Sequence, residues 1–182
     1  MIRRLLDALY LVSGWLAGVS LVVIFALMMF LSIGREINFN IPSGDDFASW
    51  ALVSMAFLGL AHTFKRGEMI RVGLLIERLQ GGVRRAAELS ALTVATAFIG
   101  YFTIQAGLLA HDSWRFNDMS TGVVSVPLWI PQLAMVIGLA ILLIALIDEW
   151  IIVARGGKPT YQPEPPKSVE ELIERVAQGG GV

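Results

Sequence analysis

Few side chains in this chain could do chemistry, and their placement argues against most kinds of it. There are two histidines and no cysteines among 182 residues. Without thiols, disulfide scaffolds, Cys-ligated zinc, iron–sulfur clusters and thiol catalysis are excluded. No Gly-Lys-Ser/Thr phosphate loop occurs, which excludes an ATPase of the P-loop kind. His62 and His111 invite a haem reading, since two imidazoles can ligate one iron from both sides. Each, however, closes an apolar run, and the two runs cross in opposite senses. The histidines therefore stand roughly 30 Å apart across a hydrocarbon core, too far to share a haem.

The remaining candidates are polar side chains within apolar surroundings. Ser20, Ser54, Thr93, Thr96, Thr103 and Gln105 are the deep ones. Hydroxyls in helices commonly bond to their own backbone, so these read as structural. An autonomous ion-coupled transporter needs an ionisable or coordinating group near the midplane, and the apolar runs hold no carboxylate, Lys or Arg. Asp148 and Glu149 lie about one bilayer thickness from Pro127 at helical rise, which puts them at an interface. Arg66 and Arg155 are the expected partners for that acidic pair. No catalytic residue, cofactor site or metal site is expected.

These residues are positioned by membrane spans. Hydrophobic residues make up 55% of the chain and charged residues 16%, against about 25% charged in a typical soluble domain. Mean hydropathy is +0.68. A net charge of −1 gives no field for binding nucleic acid. Charges divide the sequence into uncharged runs between Asp7 and Arg35, Asp46 and Lys65, Glu88 and Asp112, and Asp118 and Asp148. Each reaches the roughly 18 residues of a span. An all-α integral membrane protein follows, with spans at about 8–34, 47–64, 88–111 and 127–150, each helical because its backbone must satisfy itself. The first run is much longer than the apolar region of a cleaved signal peptide and has no A-x-A-like site after it, so it reads as a retained helix.

Orientation follows from Lys and Arg. Of fourteen, only Arg35 and Arg115 fall on one side, leaving twelve on the other. Both termini and the second loop are therefore expected in the cytoplasm. Trp50, Trp114 and Trp129 fall near the expected outer interface and Trp150 near the inner one, where amphipathic rings are favoured. Trp15 lies deeper and reads as a packing residue.

The second loop carries Val72, Leu75, Ile76, Leu79 and Val83 at helical spacing, with Arg71, Arg78 and Arg85 on a neighbouring stripe. That pattern predicts an interfacial helix whose arginines meet phospholipid phosphates. Pro127 suits the first turn of the fourth span, with an irregular entry because Pro131 follows one turn later. The membrane domain is expected over 1–155. Residues 156–182 form a Pro-rich cytoplasmic tail, in which Ser168 to Glu171 matches a capping box opening a short amphipathic helix.

Two short motifs carry a resemblance. The Arg66-Gly67-Glu68-Met69-Ile70-Arg71-Val72 stretch and the Val126-Pro127-Leu128-Trp129-Ile130-Pro131 entry, within four spans, resemble the small membrane subunit of tripartite ATP-independent periplasmic (TRAP) transporters. The likeness covers about residues 5–155 of the sequence. It implies a multi-pass inner-membrane protein that is not an enzyme. It also implies symport of organic acids, commonly carboxylates, driven by an ion gradient and not by ATP. The implied partners are a large multi-span subunit that carries substrate and sodium, and a periplasmic substrate-binding protein. The small subunit would widen and anchor the scaffold. A membrane-anchor subunit of a redox enzyme is the alternative. A small multidrug exporter would need a buried carboxylate within a span.

Overall fold

The computed structural model describes residues 2–37, 39, 42–66 and 81–156. The expected interfacial helix with Arg71 and Arg78, and the expected tail helix, lie outside the described residues. Four helices are present: α1 (Ile2–Glu36), α2 (Gly44–Arg66), α3 (Gly81–Arg115) and α4 (Trp129–Ala154). All four are long and apolar enough to cross a membrane. No strand occurs among the described residues, only an isolated antiparallel bridge between Met119 and Pro127.

The helices extend past the uncharged runs because their polar ends suit helix termini. Asp45 and Asp46 occupy the first turn of α2, and Lys65 and Arg66 its last, each sign opposing the helix dipole. The expected role of Pro127 is corrected. Helix α4 begins at Trp129, so Pro131 is the proline of the first turn, where a missing N–H breaks no helical bond. Pro127 precedes the helix, with its carbonyl accepting from Ile130 N–H at 3.2 Å, and the entry is irregular as expected.

The helices stand in a curved row, α1–α2–α4–α3. Helix α1 packs on α2, α2 on α4 and α4 on α3, with a slight contact between α1 and α4. Among the described residues α3 meets neither α1 nor α2. Consecutive helices α1/α2 and α3/α4 are antiparallel hairpins, and α2 and α4 run parallel where the hairpins join. Small residues set the close approaches. A Cβ on Gly14 would lie 2.7 Å from His62 Cγ, and one on Gly138 only 2.5 Å from the Phe57 backbone. Gly138 is thus what lets α4 touch α2. The core gathers there, with Ala61, Phe64, Leu92, Ile141, Leu142, Ala145 and Val153 buried. A third of the most apolar window of α4 is buried (33%), against 6% for α1, so α4 is an inner helix and α1 an edge.

Candidate functional site

Because α2 and α4 are parallel, their charged C-terminal turns meet at one end of the row. Lys65 donates to Asp148 Oδ2 at 2.6 Å and to Glu149 Oε2 at 3.1 Å. The Glu149 side chain is fully buried, and those of Lys65 and Asp148 are 14% and 25% exposed. The ammonium also lies 5.4 Å from the centre of the buried Tyr10 ring on α1. The Tyr10 carbonyl accepts from Ser13 Oγ and lies 3.2 Å from His62 Nδ1. Three helices therefore converge on one ammonium and two carboxylates. Buried charges are tolerated only when paired, so the cluster acts as a lock between α2 and α4.

The structure sets Lys65 against the acidic pair, a partner beyond the expected Arg66 and Arg155. Lys65 faces α4, whereas Arg66, about 100° further round a helix of 3.6 residues per turn, is exposed, as is Arg155 at the C-cap of α4. Its signal was available in the sequence. Lys65 and Asp148 end the uncharged runs of two spans that cross in the same sense.

Arg85, expected at phosphate level, belongs to the first turns of α3. Its Nη2 donates to Ala154 O at 2.6 Å. A cation there answers the unpaired carbonyls and negative dipole end of α4, which closes on Gly156 at φ 82°. Nearby, Arg84 Nε donates to the buried Glu88 at 3.1 Å.

The opposite end is joined by loops. Val124 N–H donates to Ser43 Oγ at 2.9 Å, tying the α1–α2 connection to the α3–α4 connection. Leu128 N–H donates to Asp118 O at 3.0 Å and Ser120 N–H to Val126 O at 2.9 Å, making a small hairpin. Ser43 and Asn117 adopt positive φ, 56° and 53°. Gly122 is wedged so that a Cβ would strike the Asp46 carboxylate. Sequence reasoning missed this clasp. The left-handed turn at Asn117 was the one local cue.

The deep hydroxyls behave as expected with one exception. Ser20, Ser54, Thr93 and Thr103 donate to the carbonyls of Leu16, Trp50, Leu89 and Ile99 at 2.7–3.0 Å. Thr96 Oγ1 is buried without a partner among the described residues. It borders an apolar cavity of about 280 Å³, lined also by Thr93, Ala97, Ile147 and Trp150. Gln105 lies on the exposed side of α3.

His62 sits near the charged lock, and His111 is exposed near the other end of α3 beside Asp112. Among the described residues no group of three His, Asp or Glu could hold a metal. Trp50 and Trp129, both half-buried, and Trp114, exposed, lie toward the clasp end. Trp150 lies toward the lock and donates to Thr93 Oγ1 at 3.0 Å. Trp15, expected to pack, is 70% exposed and borders a groove with Gly14, Gly18, His62 and Arg66.

The family model for the DctQ component of tripartite ATP-independent periplasmic transporters matches residues 24–156. The chain belongs to that family. As a DctQ component it is a small permease subunit of a TRAP transporter, a multi-pass protein of the inner membrane. No curated protein matches the chain. The DctQ match runs from within α1 to the end of α4 and includes the lock, the clasp and, except for Ser20, the deep polar residues.

Proposed function

We propose that this DctQ component is an auxiliary scaffold subunit. It widens and anchors the static part of a transporter whose large membrane subunit carries both substrate and coupling ion. A periplasmic binding protein delivers the substrate, an organic acid with a carboxylate group, and a sodium gradient drives uptake. The observation that carries this reading is the fate of polarity inside the row. The buried charges form a lock at one end, and the deep hydroxyls of Ser20, Ser54, Thr93 and Thr103 are closed onto their own helices. Substrate and ion binding near the midplane would need several polar groups held open together, whereas Thr96, the one deep hydroxyl left open among the described residues, borders an apolar cavity. An open row with two free edges suits a part that leans on something larger.

The orientation belongs to the same proposal. The lock end, with twelve of fourteen basic residues on its side, faces the cytoplasm. There Arg71 and Arg78 meet phospholipid phosphates, and residues 156–182 form a cytoplasmic tail beyond the membrane domain.

Reconstitution tests the function. Vesicles holding this chain alone should accumulate no organic acid under a sodium gradient. Vesicles that also hold the large subunit, with the binding protein outside, should accumulate it. Sodium-driven uptake by this chain alone would overturn the scaffold reading. Haem bound after purification would favour the redox-anchor alternative, although the histidines lie at opposite ends of the row.

A further inference from the structure

The two edges of the row differ in chemistry. Helix α1 turns Leu11, Val19, Val22, Phe25, Met29 and other apolar groups outward, and its Ser20 hydroxyl closes onto Leu16 O. Such a face suits lipid. On α3 the side turned away from α4 reads Val94, Phe98, Tyr101, Gln105, Leu108, spaced by three and four residues so that they form one stripe. Val94, Phe98, Tyr101 and Leu108 are each more than half exposed, and Gln105 is exposed with them.

Gln105 lies about 15 Å along the helix from Arg115 and about 25 Å from Glu88, at ~1.5 Å per residue. That depth is hydrocarbon. Threonine can turn its hydroxyl onto the carbonyl one turn back, as Thr93 and Thr103 do at 2.7 Å. The Gln105 amide shows no such bond within α3. An amide facing lipid there is costly, whereas facing another helix it gains a partner. One turn away the Tyr101 hydroxyl points the same requirement at the same face. The aromatic rings beside them are already packed on one another, with Phe98 and Phe102 centroids 4.8 Å apart and Tyr101 edge-on to Phe102 at 6.1 Å. A preformed aromatic ledge flanked by an amide and a phenol is a surface for protein.

We propose that this α3 stripe is the face on which the large membrane subunit docks, through interhelical hydrogen bonds from Gln105 and Tyr101. The partner surface is a spanning helix that offers a hydroxyl or a free carbonyl at the matching depth. The α1 edge then faces lipid. This inference rests on the scaffold reading above.

The test uses the complete transporter in native membranes. A photo-crosslinking residue is placed at Tyr101, at Gln105 and, for comparison, at Val22 on α1. Adducts with the large subunit are expected from the two α3 positions. In parallel, the Tyr101→Phe/Gln105→Leu double variant should keep the thermal stability of the isolated chain. It should weaken retention of the large subunit roughly tenfold, the scale of one or two interhelical hydrogen bonds. Adducts from Val22 alone, or undiminished retention in the double variant, would overturn the docking face and leave the scaffold reading standing. A wild-type chain that retains no large subunit would overturn both.

Discussion

The two ends of the row hold the same helices together by different means. At one end charges are buried between helices, Lys65 against Asp148 and Glu149, with the side chain of Glu149 fully enclosed. At the other, hydrogen bonds in loops do the joining, from Val124 N–H to Ser43 Oγ and from Leu128 N–H to Asp118 O. Buried charge is sensitive to its partner, because removing one ion strands the other in a medium that cannot solvate it. A loop hydrogen bond is forgiving, since water replaces a lost partner at the surface. Damage of similar size in atoms should therefore cost unequally at the two ends.

Lys65→Met is the largest expected break. It removes the ammonium that bridges the two carboxylates and should destabilise the purified chain by about 3–5 kcal/mol. Replacing the whole lock, Lys65→Met with Asp148→Asn and Glu149→Leu, should recover most of that loss in thermal unfolding in detergent. If the triple variant stays as unstable as Lys65→Met, loss of packing and not stranded charge explains the effect.

At the clasp, Gly122→Ala comes next. The new Cβ displaces the Asp46 carboxylate, and overpacking of this kind costs roughly 1–3 kcal/mol, toward the low end where the obstacle is a side chain. Ser43 sharpens the contrast further. Ser43→Ala removes the acceptor for Val124 N–H and should cost about 1 kcal/mol. Ser43→Gly removes the same bond but relaxes the φ of 56°, so it should cost less than Ser43→Ala. Equal losses in the two variants would show that the left-handed backbone carries no strain here.

Arg85→Gln should have the smallest effect. It weakens the closure of α4 at Ala154 O by about 0.3–1 kcal/mol, since a cation at an exposed helix end is screened. Raising the salt concentration should shrink that difference while leaving the cost of Lys65→Met largely unchanged.

Within each span, much was legible from residue type alone. Asp45 and Asp46 opening α2 and Lys65 and Arg66 closing it mark a helix by charge placement. The hydroxyls of Ser20, Ser54, Thr93 and Thr103 bond as their position in a helix dictates. Between spans the reading weakened. The acidic pair at 148 and 149 was visible, but the contact of Lys65 with it depends on which face of α2 turns to α4. Depth along α1 likewise says nothing about which side of the helix is covered, and Trp15 is 70% exposed.

By itself the sequence determined four helical spans and the count of basic residues flanking them. Those follow from solvation, which acts on each segment separately: a charge avoids hydrocarbon and a backbone in hydrocarbon must bond to itself. Only the tertiary structure decided the order α1–α2–α4–α3, the parallel contact of α2 with α4, and the two unlike edges. Apolar helices in lipid are not sorted by burial of apolar surface, because lipid and protein are equally apolar. They are sorted by fit, such as Gly138 against the Phe57 backbone and Gly14 against His62.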